Sequence, residues 1–345
     1  MAVTTFSNLI EPRVFAQYVQ EMSTKTSRFV QAGILANDPV LGNRLLDGGR
    51  MVDIPLIGDL GGETNEWNDK QDITAQSLST NSAQAMKMYE YQAYAATDWG
   101  QLATGAPVIK QIAERFGAYW VRKNESWLIS VLNSAFANAD IAETKGYKIG
   151  AETLFSPADM IAATVRMGDV ADPTLQKIVV NSATLGELRK QNLIATEQPS
   201  EAGMVIRMYN GLNVIVDDEI PVDATGKTSA FMFAPSSVYF ATATPANGIV
   251  VNRDELKNGG SETIINKRVM AMQLAGTSVD LSVAQSADEY RQAVLDGKAT
   301  YKIASDPRQI GVVKYAFKVS PEFIVAGINS PKKAASTTTT SGSAK

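Results

Sequence analysis

The sequence predicts an α+β fold, and three features carry that reading. An apolar stripe at helical spacing runs through 107–138. Two strand-like segments, 51–57 and 85–94, are separated by a long polar, glycine-containing stretch. Helix and strand signals alternate between 155 and 255, whereas long strands dominate 261–319, so the two patterns are segregated along the chain.

Residues 1–50 read as an arm of short pieces. Glu11-Pro12 can open a helix with Val14, Phe15, Tyr18 and Val19 on one face. Asp38-Pro39 and Asp47-Gly48-Gly49 then break any longer element. An arm with little apolar content of its own must lean on a core, either its own or that of a neighbour.

The region 51–95 reads as a hairpin with a projecting tip. From 53 to 72 the acids Asp53, Asp59, Glu63, Glu66, Asp69 and Asp72 face one base, Lys70. So long a connection is uncommon inside a compact domain and points to a loop working at a distance from the body. Thr104-Gly105-Ala106-Pro107 leads into the helix predicted over 107–138, where proline suits the first turn. Its stripe comprises Ile109, Ile112, Phe116, Trp120, Trp127, Val131 and Ala135, widened by Tyr119, Leu128 and Leu132 and interrupted only at Lys123-Asn124-Glu125. At 1.5 Å per residue it is roughly 48 Å long, the length of a structural spine.

Within 155–255, Ser156-Pro157 caps a helix, 177–180 is a buried strand, and Asn181-Ser182 caps a second helix. Strands centred on 214–216 and 231–233 complete an α/β lobe. Strands are expected at 262–274, 278–283 and 312–319, with a helix at 286–295. The tail from Pro331, rich in Ser, Thr, Gly and Ala, is expected to be flexible.

Composition removes many chemistries. The chain has 345 residues with no cysteine and no histidine. Disulfides, thiolate or imidazole metal sites, and His-based nucleophilic or acid–base catalysis are therefore excluded. Asp217-Asp218-Glu219, the densest acidic cluster outside the hairpin, reads as a solvated turn because neighbours in a strand diverge and no calcium-loop spacing is present. Gly48-Gly49, Gly61-Gly62 and Gly259-Gly260 match no phosphate-binding frame and read as turns. Trp120 and Trp127 read as core, and Lys267-Arg268 and Lys332-Lys333 as solvated surface. No catalytic residue, cofactor or metal is assigned. A net charge of −4 argues against a dedicated nucleic-acid binder. The N-terminus carries no basic-then-apolar signal and no apolar run reaches 18 residues, so a protein made in a cytoplasm with no membrane span is expected.

The order of arm, projecting hairpin, spine helix, α/β lobe and returning strands resembles the Hong Kong 97-like capsid fold of tailed-phage major capsid proteins. The local resemblance lies in Tyr91-Gln92-Ala93-Tyr94, Asp98-Trp99, Thr104-Gly105-Ala106-Pro107-Val108 and Phe116-Gly117-Ala118-Tyr119-Trp120. It is similar to the hairpin-to-spine junction of a coat-protein subgroup. The resemblance implies an N-arm at 1–50, an E-loop at 51–95, a P-domain with the spine at 96–154, an A-domain at 155–255, a return to the P-domain at 256–328, and a tail at 329–345. It further implies a virion shell subunit, not an enzyme, assembled in the host bacterial cytoplasm into pentamers and hexamers. The implied partners are a portal, separate scaffolding or decoration proteins, and packaged double-stranded DNA held by non-specific contact.

Two departures qualify the resemblance. The arm starts almost at once, without the cleaved scaffolding segment of some relatives, so scaffolding is expected to be separate or unnecessary. Certain relatives join an E-loop lysine to an asparagine of another subunit; Lys70 lies in the matching loop, but no matching asparagine or assisting acid is identified. The acids Asp59, Glu63, Glu66, Asp69 and Asp72, with Lys70, are expected to meet Lys110, Arg115, Arg122 and Lys123 on the spine of a neighbouring copy. The alternatives are an encapsulin-like compartment shell, which shares the fold, and a two-carboxylate hydrolase, for which no acid pair is evident.

Overall fold

The computed structural model describes residues 29, 32–57, 80–99, 108–150, 152–168, 177–191, 193–197, 206–209, 211–304, 306–325 and 329. In chain order it sets β1 (Leu35–Asn37), α1 (Pro39–Arg44), β2 (Met51–Ile57), β3 (Thr80–Met86), β4 (Met88–Thr97), the long α2 (Val108–Ala135), α3 (Ala139–Lys145) and β5 (Gly146–Tyr147). Next come α4 (Pro157–Val165), β6 (Lys177–Val180), α5 (Ser182–Lys190), β7 (Ala195–Glu197), β8 (Ile206–Tyr209), β9 (Leu212–Val216) and β10 (Lys227–Phe233). The chain continues through β11 (Val238–Ala243), β12 (Ile249–Asp254), β13 (Ser261–Leu274), β14 (Thr277–Val279), α6 (Ala287–Leu295), β15 (Tyr301–Ile303) and β16 (Val312–Lys318).

The apolar stripe makes α2 the member that ties two sheets together. Its 28 residues extend roughly 42 Å. In the first half, Ala113, Phe116 and Trp120 pack on Ile264 of β13. In the second half, Trp127, Leu128, Val131, Leu132 and Ala135 enter the main core with Phe231, Phe233, Met270 and Met272. Trp120 and Trp127 are core residues, as their spacing predicts.

The smaller sheet is built on β13. It pairs antiparallel with β4 along one edge and with β12 and β11 along the other, and β1 joins β11 in parallel. The larger sheet runs β5-β16-β10-β6-β9-β8-β7. On one of its faces α4 and α5 bury Met160, Ala163 and Leu188 against Ile178, Val180, Met232 and Phe317. On the other, Val179, Phe231 and Val312 meet the C-terminal half of α2. The helices start where expected, though not all by side-chain capping. Asn181 accepts from Thr184 N–H at 2.7 Å, and Ser286 and Glu289 form a capping box at α6; such caps are each worth about 1 kcal/mol. Ser156 stands at the N-cap of α4 but makes no side-chain cap hydrogen bond, and Pro157 in the first turn is what suits that start.

Strand pairing departs from the predicted grouping in four places. The segment 85–94 is not one arm of the hairpin: β2 pairs with β3, the chain changes sheets at Lys87, and β4 pairs with β13. The segment 238–254, which the lobe boundary at 255 takes in, forms β11 and β12, and both pair with β13. β16 instead lies beside β10 in the lobe sheet. The strand expected at 278–283 stops at Val279, because Asp280 Oδ1 accepts from both Ser282 N–H (3.0 Å) and Ser282 Oγ–H (2.9 Å) and turns the chain. Gly259-Gly260, with φ of +71° and +95°, forms the β12–β13 turn in a conformation that favours glycine. The arm helix expected at 12–19, the polar hairpin tip and the C-terminal tail lie outside the described residues.

Candidate interaction surfaces

The hairpin is rooted firmly, and its root spends one of its acids. Val52 and Ala85 pack with Leu41 of α1 and Leu45 just beyond its end against Ala241, Val269 and Ala271 of the small sheet. Arg44 Nη1–H donates to Asp53 O at 2.8 Å. Gln84 donates from Nε2 to Asp53 Oδ1 at 3.1 Å and from its backbone N–H to Ser278 Oγ at 3.0 Å. At the point where the chain changes sheets, Lys87 is 1% exposed and its Nζ donates to Asp47 O at 2.9 Å. Asp59, Glu63, Glu66, Asp69, Lys70 and Asp72 lie outside the described residues, as does the side chain of Lys110.

The remaining spine cations lie on the solvent side of the helix. Arg115, Arg122 and Lys123 are exposed on α2; Arg115 and Arg122 are seven residues apart, two helical turns, on one face. Lys123 Nζ lies 5.8 Å from the centre of the Tyr119 ring. Glu114 is exposed beside them, so the stripe is cationic but not purely so. The expected interruption is narrower than predicted: Lys123 faces solvent, whereas Asn124 and Glu125 are buried.

Other charged groups are interior. Arg268, expected on the surface, is 7% exposed. Its Nε–H and Nη2–H both donate to Glu90 Oε2, at 2.9 and 2.6 Å, and its guanidinium lies 3.9 Å from the centre of the Trp120 ring. Burial lowers the Arg268 pKa and the Glu90 carboxylate opposes that shift. Arg291 reaches the other carboxylate oxygen at 3.4 Å. Sequence reasoning missed this triad, although strand alternation places Lys267 and Arg268 on opposite faces. Asp217 is likewise buried, not solvated; its Oδ1 accepts from Glu219 N–H at 3.0 Å, so the predicted turn is present. Lys314, between α2 and β10, donates to Asn133 Oδ1 at 2.8 Å and lies over the Phe136 and Phe231 rings. Desolvation brings its pKa down to about 8. Lys332-Lys333 lies outside the described residues.

Among the described residues no group of three or more Asp or Glu is placed to hold a metal, and no helix is long and apolar enough to cross a membrane. An open hollow of about 500 Å³ at the hairpin root is lined by Arg50, Met51, Leu281 and Gln285, which include no acid–base pair. What stands out is surface: a rooted hairpin, a cationic helix face and exposed aromatic side chains such as Tyr91 and Trp99, each 74% exposed.

Comparison with known proteins gives a consistent set. The chain is 26% identical over 326 residues to the major capsid protein of Bacillus phage SPP1, covering 92% of this chain and 99% of that protein. Among solved structures, the capsid of Ralstonia phage GP4 matches with a TM-score of 0.58 at 11% identity, covering 86% of this chain and 92% of that one. The cyanophage Pam1 capsid matches with a TM-score of 0.55 at 13% identity, covering 86% and 93%. No family model matches the chain.

Proposed function

We infer that this chain is the major capsid protein of a tailed bacteriophage, a subunit of the Hong Kong 97-like fold that self-assembles into the virion shell. The observation that carries this reading is the end-to-end match to a phage major capsid protein, with the fold shared by phage capsids. The relatives named above are capsid proteins of phages, which favours a genome container over an encapsulin-type compartment. The role is structural, and no reaction is assigned to the chain.

The division into N-arm, E-loop, P-domain and A-domain applies to this chain as a proposal, with the small sheet and the first half of α2 making the P-domain layer. The E-loop is the hairpin leading from β2 to β3. Its acidic tip, carrying Asp59, Glu63, Glu66, Asp69, Lys70 and Asp72, crosses to a neighbouring copy and meets Lys110, Arg115, Arg122 and Lys123 on that copy's spine. Exposed ion pairs are each worth about 0–1 kcal/mol, so they set register, and apolar and main-chain contacts summed over pentamers and hexamers hold the shell. Assembly takes place in the host bacterial cytoplasm with a portal and separate scaffolding or decoration proteins, and the inner wall touches double-stranded DNA without sequence preference.

Deletion of residues 58–82 tests the reading. Loss of closed particles, with the remaining body still folded by circular dichroism, is the expected result. A truncated chain that still forms normal closed shells would show that the hairpin does not join copies.

A further inference from the structure

Three asparagine–glycine pairs occur in the chain, at 210–211, 247–248 and 258–259. Glycine has no Cβ to shield its nitrogen from the side chain before it. That nitrogen can attack the Asn Cγ; the new N–Cγ bond forms, the Cγ–Nδ2 bond breaks, ammonia leaves and a cyclic succinimide remains. Water then opens the ring at either carbonyl, giving aspartate or isoaspartate. Water is the only co-reactant, and nothing is oxidised or reduced. Asn210 lies outside the described residues, so the fold invites a comparison of the other two pairs.

We propose that Asn258-Gly259, at the tip of the β12–β13 turn, is a self-modifying site, and that the fold shields Asn247-Gly248 from the same chemistry. Asn258 and Gly259 are exposed, with φ of +52° and +71°. Open space surrounds Gly259, where an added side chain would meet nothing within 4 Å. Its N–H forms no hydrogen bond among the described residues, so the proton is available to base. A single backbone hydrogen bond closes the turn, from Gly260 N–H to Lys257 O at 3.0 Å. Positive φ at both central residues is the hairpin form of such a turn, and the Asn258 side chain must swing over the Gly259 nitrogen before the ring can close. The turn therefore opens first, and exposed tips with few contacts open most readily. Gly248 is the opposite case. It is buried; its N–H donates to Pro245 O at 2.8 Å and its carbonyl accepts from Lys267 N–H at 2.6 Å. Freeing that nitrogen means exposing a buried backbone and disturbing the start of β12.

The product changes the end of the small sheet. Arg253 is already shared by Asp98 and Glu255, at 2.5 Å each, and Lys257 lies 3.9 Å from Asp254. A new carboxylate at 258 joins these acids with no base left over among them. Isoaspartate also lengthens the main chain by a methylene, in a turn whose two central residues are matched to the twist of the flanking strands. Pairing of Asp254 with Ser261, the last rung between β12 and β13, is the first to loosen. The proposal does not depend on the shell reading, and its test needs no particle.

Dissociated subunits are incubated at mildly alkaline pH, which favours loss of the glycine N–H proton, and sampled over time. Peptide mass mapping reads the exchange of an amide for an acid at each asparagine. The expected result is conversion at Asn258 at least severalfold faster than at Asn247. Both should be slower than in the chain unfolded in guanidinium, where the two pairs react at similar rates. Equal rates at the two sites in the folded chain overturn the proposal, as does an Asn258 that stays intact while the unfolded sample converts. So does a preference for Asn258 that survives unfolding, because flanking sequence and not the fold would then be its cause. Asn258→Gly removes the carboxamide and keeps a residue that accepts positive φ; the mass gain in the turn peptide should vanish, and a gain that persists overturns the assignment. Hydrogen exchange on the converted fraction reads the consequence: residues 261–263 should exchange at least severalfold faster than in intact chains, and equal exchange overturns the predicted loosening of the turn.

Discussion

The buried triad of Glu90, Arg268 and Trp120 makes a quantitative test of how the small sheet is held to the spine. Replacing Glu90 with Ala leaves a guanidinium 7% exposed with no carboxylate, and Arg291, the other cation at that carboxylate, cannot substitute. Both partners of the pair are under a tenth exposed, so solvent screening removes little of the effect. Removing one member of such a pair costs about 3–5 kcal/mol, because an uncompensated charge remains buried. Replacing both, Glu90→Leu with Arg268→Met, removes that penalty and is expected to fall within about 1 kcal/mol of the unmodified chain. Urea unfolding of dissociated subunits, followed by tryptophan emission, measures both values without contributions from assembly. A Glu90→Ala cost below about 1 kcal/mol, or a double variant as damaged as the single, would refute the reasoning that charge burial dominates at this junction.

Three further outcomes follow from the same structure. Lys314 has a folded pKa of about 8 against an unfolded value near 10.4; the unfolded chain therefore holds the proton more tightly between those values. Stability from this group is depressed below pH 8 and recovers as pH rises toward 10, and Lys314→Met should be about 1–3 kcal/mol more stable at pH 7 and lack that rise, read as the difference between two urea series. Arg115→Glu with Arg122→Glu should leave subunit stability within about 0.5 kcal/mol while slowing assembly most at low salt, since screening already weakens exposed charges at high salt; unchanged light-scattering kinetics at low salt contradict the proposed register contact. Gly276, at φ +75°, would set a Cβ 2.9 Å from the Gln309 backbone, so Gly276→Ala should cost about 1–3 kcal/mol by urea titration.

The sequence displayed the spine and the helix caps because their signals are local. A 3.6-residue stripe declares α2, and Asn181 and Ser286 declare their helices three residues ahead. Partner choice is not local, and there the reading failed. Period-two alternation at 85–94 announces a strand, but not that Lys87 ends one pairing and Met88 begins another. Nor does it announce that 238–254 would choose β13 over the lobe sheet. The buried Arg268 was hidden for the same reason, since its partner Glu90 is 178 residues away. Of the candidate contacts, Arg115, Arg122 and Lys123 are exposed on α2. The acids that would meet them lie outside the described residues.

The most direct measurement is a cryo-EM reconstruction of the particles this chain forms, tracing residues 58–79 from their own β2 and β3. The account predicts a closed icosahedral wall in which every such segment lies on a different copy from the one that supplies it. A small species of fixed size, or single chains whose hairpins fold back on their own bodies, would contradict it.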